Sequence, residues 1–188
     1  ARLRELHERG IRVRIVTNSL AATDVPAVHS GYAGYRRPLL EAGIELHEIK
    51  PTAELAEARR EEKRERSEGA AHRVGGSSRA SLHAKAQVFD RRALFVGSLN
   101  LDPRSVFTNT ETGVIIESPP LVDTLLRRFD SDLANLAYRV TLQPDGKLEW
   151  VSRTEGGDEV RYRDEPETSF WQRMKVWFYS LWPIEPLL

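Results

Sequence analysis

The chain has 188 residues, 40% hydrophobic and 30% charged, the make-up of an ordinary soluble globular protein with one sizeable core. Its 28 basic and 28 acidic side chains cancel, so no global field draws it onto nucleic acid, although a local basic cleft stays open. The absence of cysteine excludes disulfides and thiolate zinc sites, and no apolar run is long enough to span a bilayer.

Residues 1–10 (ARLRELHERG) read as a helix already under way, with Leu3 and Leu6 on one face and Gly10 closing it. Ala1 is not a methionine and no signal peptide is visible, so the expectation is a piece of a longer chain. Residues 11–17 (IRVRIVT) alternate as a strand does, 28–42 read as a helix ended by Gly43, and 44–49 (IELHEI) as a second strand. Strand, helix, strand is the pattern of a parallel βαβ unit.

Residues 52–66, rich in Ala, Glu and Arg, suit a solvated helix, and the Gly- and Ser-rich 67–79 a loop. Two tightly joined strands follow at 82–89 and 93–98, turned by Asp90–Arg91–Arg92, with a third at 112–117. Pro119–Pro120 open a helix to about Tyr138. Strands at 139–143 and 147–151 flank Pro144–Asp145–Gly146, a hairpin signal, and 160–163 is a further strand. A helix over 168–181 carries Phe170, Trp171, Met174, Trp177, Phe178 and Leu181. This helix has two readings: it lies at a membrane interface, or its aromatic face packs against protein.

The chemistry concentrates in SLHAKAQVFDRRALFVGSLNLDPRSVFTNTE, residues 81–111. On a strand, alternate side chains share a face, which puts the imidazole of His83 beside the ammonium of Lys85. The next strand ends in Gly97–Ser98–Leu99–Asn100, where neutral donors can join that pair. Breaking a phosphodiester requires neutralised charge, a nucleophile and a proton for the leaving oxygen. Lys85 offers fixed positive charge, Ser98 and Asn100 offer donors, and His83 serves as nucleophile or as acid and base. Such a histidine needs its other ring nitrogen held by an acceptor, and Glu111 is the natural one. Asp90 sits at a tight turn on the opposite parity from His83, which favours a turn-stabilising role over chemistry. Gly97 permits close backbone approach or marks a β-bulge.

His83, Lys85, Asp90, Gly97, Ser98 and Asn100 reproduce the HxKxxxxDxxxxxxGSxN signature, so the chain resembles the phospholipase D superfamily. TNSLAATDVPAVHSGYAGYRRPLLEAG, NLDPRS and the closing PxxxFWxRxxxWFYxLxPIExLL resemble its bacterial cardiolipin synthase branch, of the cardiolipin synthase C type. The resemblance implies an α/β fold: a mixed sheet flanked by helices, with a C-terminal β-hairpin and amphipathic helix. It implies a catalytic half-domain over 1–138 and an appendage of hairpin and helix over 139–188. It implies metal-free, cofactor-free catalysis through a phosphohistidine intermediate, with Glu111 orienting the histidine. The family's site uses two such motifs and this chain has one, because His7, His29, His47 and His72 lack the following lysine. This one is the second of the pair; the first motif is expected from a missing amino-terminal half, or from a homodimer partner, and the chain alone is expected to turn over negligibly.

The expected reaction is phosphatidyl transfer between phospholipids, with phosphatidylglycerol and possible phosphatidylethanolamine substrates, to give cardiolipin. His83 is expected to be mainly general acid and then base. The expected setting is the cytoplasmic side of a bacterial inner membrane, held peripherally. The alternatives are hydrolysis of a lipid or nucleic-acid phosphodiester, which neutral net charge disfavours for nucleic acid, and a non-catalytic membrane-docking half. Thr17, Asn18 and His29 follow the first strand, where α/β ligand sites gather, and are substrate-contact candidates; a capped helix start explains them equally.

Overall fold

The computed structural model describes residues 2–23, 26–51, 84–100, 103–154 and 156–180. The expected helix and loop over 52–79, His83 itself and the tail from 181 lie outside these residues. Helix α1 (Arg2–Glu8) leads into β1 (Arg14–Asn18), α2 (Pro26–Ala33), α3 (Arg36–Glu41) and β2 (Glu45–Ile49). β1 and β2 run parallel, Ile15 beside Leu46 and Thr17 beside Glu48, which completes the expected βαβ unit. Its crossover is two helices rather than the one helix expected over 28–42. Pro38 explains the break: inside a continuous helix its ring would collide with the Gly34 carbonyl and give it no N–H. Restarting at Arg36 places Pro38 in a first turn, whose amides need no partner within the helix.

The sheet continues through β6 (Ala137–Leu142), β7 (Leu148–Arg153) and β8 (Glu159–Tyr162), in the order β1-β2-β6-β7-β8. β6 pairs antiparallel with β2, so the sheet is mixed. The hairpin between β6 and β7 closes as its sequence predicts: Gly146 takes φ 79°, and the Asp145 carboxylate accepts the Lys147 amide at 3.0 Å. Leu46, Tyr138, Val140 and Trp150 form the buried centre of one face, covered by Tyr32 of α2 and Leu40 of α3. Helix α5 (Pro119–Leu136) lies on the other face, where its Asp130 pairs with Arg14.

The long helix ends at Leu136, earlier than the expected Tyr138. Ala137 is already extended at φ −134° and ψ 155°. Tyr138 aligns with Glu48 on β2 and donates its hydroxyl to Glu167 at 2.5 Å. Pairing across the sheet thus overrides the local helical pattern.

The motif strands build a second, antiparallel sheet of β3 (Lys85–Phe89), β4 (Ala93–Gly97) and β5 (Gly113–Glu117), with the short helix α4 (Pro103–Phe107) between the last two. Asp90 and Arg91 turn the first hairpin with φ of 52° and 56°. Two successive left-handed residues are the type I′ geometry, which matches the twist of the flanking strands. Arg91 also pairs with Asp123, tying the turn to α5, and α5 touches β4 as well as β6 and β7. The chain closes with α6 (Phe170–Ser180), which packs on α2. Its start is a capping box: Ser169 Oγ accepts the Gln172 amide at 3.2 Å, and Gln172 Oε1 accepts the Ser169 amide at 2.8 Å.

Candidate active site

The antiparallel register sets the site. Lys85 lies opposite Gly97, and Gly97 opposite Gly113, so all three positions share one face of the second sheet. No bulge interrupts this pairing, which leaves close approach as the role of Gly97. A Cβ on Gly97 would stand 2.4 Å from the Thr112 carbonyl oxygen and 2.8 Å from the Phe95 ring. A Cβ on Gly113 would stand 2.2 Å from the same ring. The Phe95 ring thus occupies the space that side chains at the two glycine positions would fill. Sequence reading singled out only Gly97.

Ser98 follows Gly97 at the end of β4. Its amide donates to the Thr112 carbonyl at 2.8 Å, and its Oγ accepts the Thr112 amide at 3.0 Å. The single hydroxyl proton of Ser98 goes to Glu111 Oε2, at 2.5 Å. Asn109 Nδ2 approaches Glu111 Oε1 at 3.4 Å, and buried Ser105 of α4 adds a further side-chain hydrogen bond to Glu111. The hydrogen bond from Ser98 leads the causes that hold the Glu111 carboxyl below the usual carboxylate range, followed by Ser105, Asn109 and the charge of Lys85. Glu111 is thus an ionised acceptor at neutral pH. Asn100 lies beyond Ser98 in an exposed position.

Lys85, Gly97, Ser98 and Glu111 are brought together, whereas Asp90 sits at the opposite end of β3 from Lys85, about 17 Å along the strand. Ser105 and Asn109 escaped the sequence reading because their approach to Glu111 depends on how the chain between β4 and β5 folds back. The only signal was their place inside the stretch closing on Glu111.

Thr17 and Asn18 stand at the carboxyl end of β1, paired with β2. His29 is 3% exposed, with Nε2 2.8 Å from Arg36 Nη2 and 3.5 Å from Glu165 Oε2. Arginine only donates, so that ring nitrogen carries a lone pair toward Arg36. Arg36 also donates to Glu48 at 2.7 Å and Glu165 at 2.6 Å, between the rings of Tyr32 and Trp150. Glu48, wholly buried, additionally accepts from Tyr32 at 2.9 Å and from Trp150 at 2.9 Å. This network fastens the segment ahead of α6 to the first sheet.

The described residues thus join a parallel βαβ start, a mixed sheet, and a lysine and a carboxylate near one end of an antiparallel sheet. A family model described as "Cardiolipin synthase, PLD-like domain" matches residues 1–133, and the chain belongs to this phospholipase D-like family. Cardiolipin synthase C of Escherichia coli (strain K12) is 40% identical over 188 residues, all of this chain and 37% of that protein. An uncharacterized protein of Helicobacter pylori (strain J99) is 31% identical over 172 residues, 90% of this chain and 30% of that one. The chain thus spans about a third of the length of the curated relatives it matches. Among solved structures, Nuc from Salmonella typhimurium, a phospholipase D family member, matches at 18% identity and a TM-score of 0.48, over 73% of this chain and 70% of that one.

Proposed function

We propose that this chain supplies one half of an active site for phosphatidyl transfer between phospholipids, yielding cardiolipin. The observation that carries this reading is the ionised Glu111 held by Ser98 on the sheet face that begins at Lys85. Two residues before Lys85, His83 is the group this acceptor orients. In the first step the histidine of the other, first motif, from outside these 188 residues, attacks the donor phosphorus. The phosphorus–oxygen bond to the head-group alcohol breaks as His83 gives that oxygen a proton. In the second step His83 takes the proton from a hydroxyl of an acceptor phosphatidylglycerol. That oxygen bonds to phosphorus and the phosphohistidine bond breaks, so both histidines return to their starting states. Lys85 and Asn100 offset the negative charge that builds on the phosphoryl oxygens. No cofactor is required by this sequence of steps.

The donor is phosphatidylglycerol, leaving as glycerol, or phosphatidylethanolamine, leaving as ethanolamine. Among the described residues no helix is long and apolar enough to cross a membrane. We place the protein peripherally on the cytoplasmic side of a bacterial inner membrane. The partner that completes the site is the remainder of a longer chain or a second copy.

The test is turnover of phosphatidylglycerol and phosphatidylethanolamine vesicles by the full-length protein and its His83→Ala variant. Cardiolipin made by the parent and lost in the variant supports the reading. Hydrolysis that depends on His83 without cardiolipin overturns the acceptor; turnover indifferent to His83 overturns the site.

A further inference from the structure

We propose that the outward face of α6 is the surface on which this protein rests on an anionic lipid bilayer. At about 100° per residue, Phe170, Trp171, Met174, Trp177 and Phe178 fall in one arc of about 120°. That arc is open to solvent: Trp171 is 70% exposed, Phe170 61%, Trp177 58% and Phe178 54%. Val176, on the opposite side, is the buried residue of the helix, and α6 packs there against α2. The helix is therefore docked by its narrow side and presents its aromatic side outward.

Charge decides the occupant. The helix FWQRMKVWFYS contains no acidic residue; exposed Lys175 flanks the aromatic arc on one rim, and on the other stands Arg173, which also donates to the Thr168 carbonyl at 3.1 Å and hydroxyl at 3.2 Å. Tryptophan with rim cations suits the boundary between head groups and acyl chains, where rings bury while ammonium and guanidinium groups meet lipid phosphate. The 11 described residues of the helix extend about 17 Å, and cations on both rims of an aromatic arc suit a helix lying along the surface. The arginine of the buried network fixes its approach, since Glu165 just ahead of α6 is bonded to Arg36 at 2.6 Å.

This inference deepens the lipid-transfer reading and rests on it for the choice of a bilayer. Sedimentation of the full-length protein with phosphatidylcholine vesicles, with and without phosphatidylglycerol, tests it. The parent is expected to bind the anionic vesicles. Trp171→Ser with Trp177→Ser is expected to weaken that binding at least about tenfold while leaving thermal unfolding unchanged. Lys175→Glu is expected to weaken binding to the phosphatidylglycerol vesicles alone. A double variant that sediments like the parent overturns the proposal, as does one that binds lipid normally but loses self-association. Monomeric short-chain phosphatidylglycerol separates the two readings. The double variant should turn it over like the parent, and a parent inactive on it yet bound to vesicles faults the reaction and spares the surface.

Discussion

Ser98 and Glu111 are joined by a 2.5 Å hydrogen bond from the serine hydroxyl to Oε2 of the carboxylate. The same oxygen of Ser98 accepts the Thr112 amide at 3.0 Å, so the hydroxyl is aimed from behind by the backbone that carries Glu111. Sequence reading made Ser98 a donor to phosphate. In the structure its hydroxyl donates to Glu111 at 2.5 Å, with the Thr112 carbonyl at 3.3 Å as the more distant acceptor.

Ser98→Ala is expected to lower kcat by about 10–100-fold with little change in KM, the range seen when a group that orients another is removed. Ser98 heads the causes that keep the Glu111 carboxyl low, so its loss lets that carboxyl rise toward its ordinary value. The protonated form, uncharged and a weaker acceptor, then appears at higher pH. The acid limb of the pH–rate profile should therefore move upward in Ser98→Ala and return in Ser98→Thr.

Gly97→Ala places a methyl 2.4 Å from the Thr112 carbonyl oxygen, which is backbone and cannot swing aside. Denaturant unfolding should show a loss of about 1–3 kcal/mol, the usual cost of forcing extra volume into a packed position. Gly113→Ala meets the Phe95 ring instead. The companion change Phe95→Ala should relieve Gly113→Ala and leave Gly97→Ala largely unrelieved.

Glu48→Gln removes the charge that faces Arg36 in the first sheet. Burial works against the guanidinium charge, and Glu48 with Glu165 outweighs it, so Arg36 stays protonated. Leaving that cation under-compensated is expected to lower stability by about 3–5 kcal/mol, read by thermal and denaturant unfolding.

Glu165 sets an acid dependence of stability. Burial favours its protonated form, but the charge of Arg36, bonded to it at 2.6 Å, outweighs burial and its pKa is lowered. A carboxyl depressed in the folded state stabilises above its unfolded value of about 4.3 and loses that contribution as pH falls through its folded value. Glu165→Gln should thus be less stable than the parent at pH 7, and the difference should close as the pH drops below about 4.

How much could be read in advance follows the range of each interaction. The first hairpin was legible because Asp90 and Arg91 mark a turn whose geometry fixes the register of Lys85 against Gly97. The pairing of β1 with β2 followed from two strands separated by a helical stretch. The break between α2 and α3 was also local in origin, since Pro38 carries it, but the alternation of apolar residues over 28–42 masked it. Tyr138 was misplaced in the helix because its partners, Glu48 and Glu167, lie far along the chain in both directions. The network of Arg36 with Glu48, Glu165 and Trp150 was invisible for the same reason. At the site, the motif spacing named Lys85 and Ser98, and the need for a histidine acceptor named Glu111, but the bond between Ser98 and Glu111 required coordinates.

The most direct measurement of the proposed chemistry uses a phosphatidyl donor with a 4-nitrophenol leaving group, which needs no proton to depart. With His83 as acid and base and the histidine of the first motif as nucleophile, the full-length parent should turn this donor over continuously. The His83→Ala variant should release one equivalent of nitrophenol per site and stall as the covalent adduct, because nothing deprotonates the acceptor hydroxyl. No burst from the variant, or unabated turnover by it, would contradict the roles assigned here.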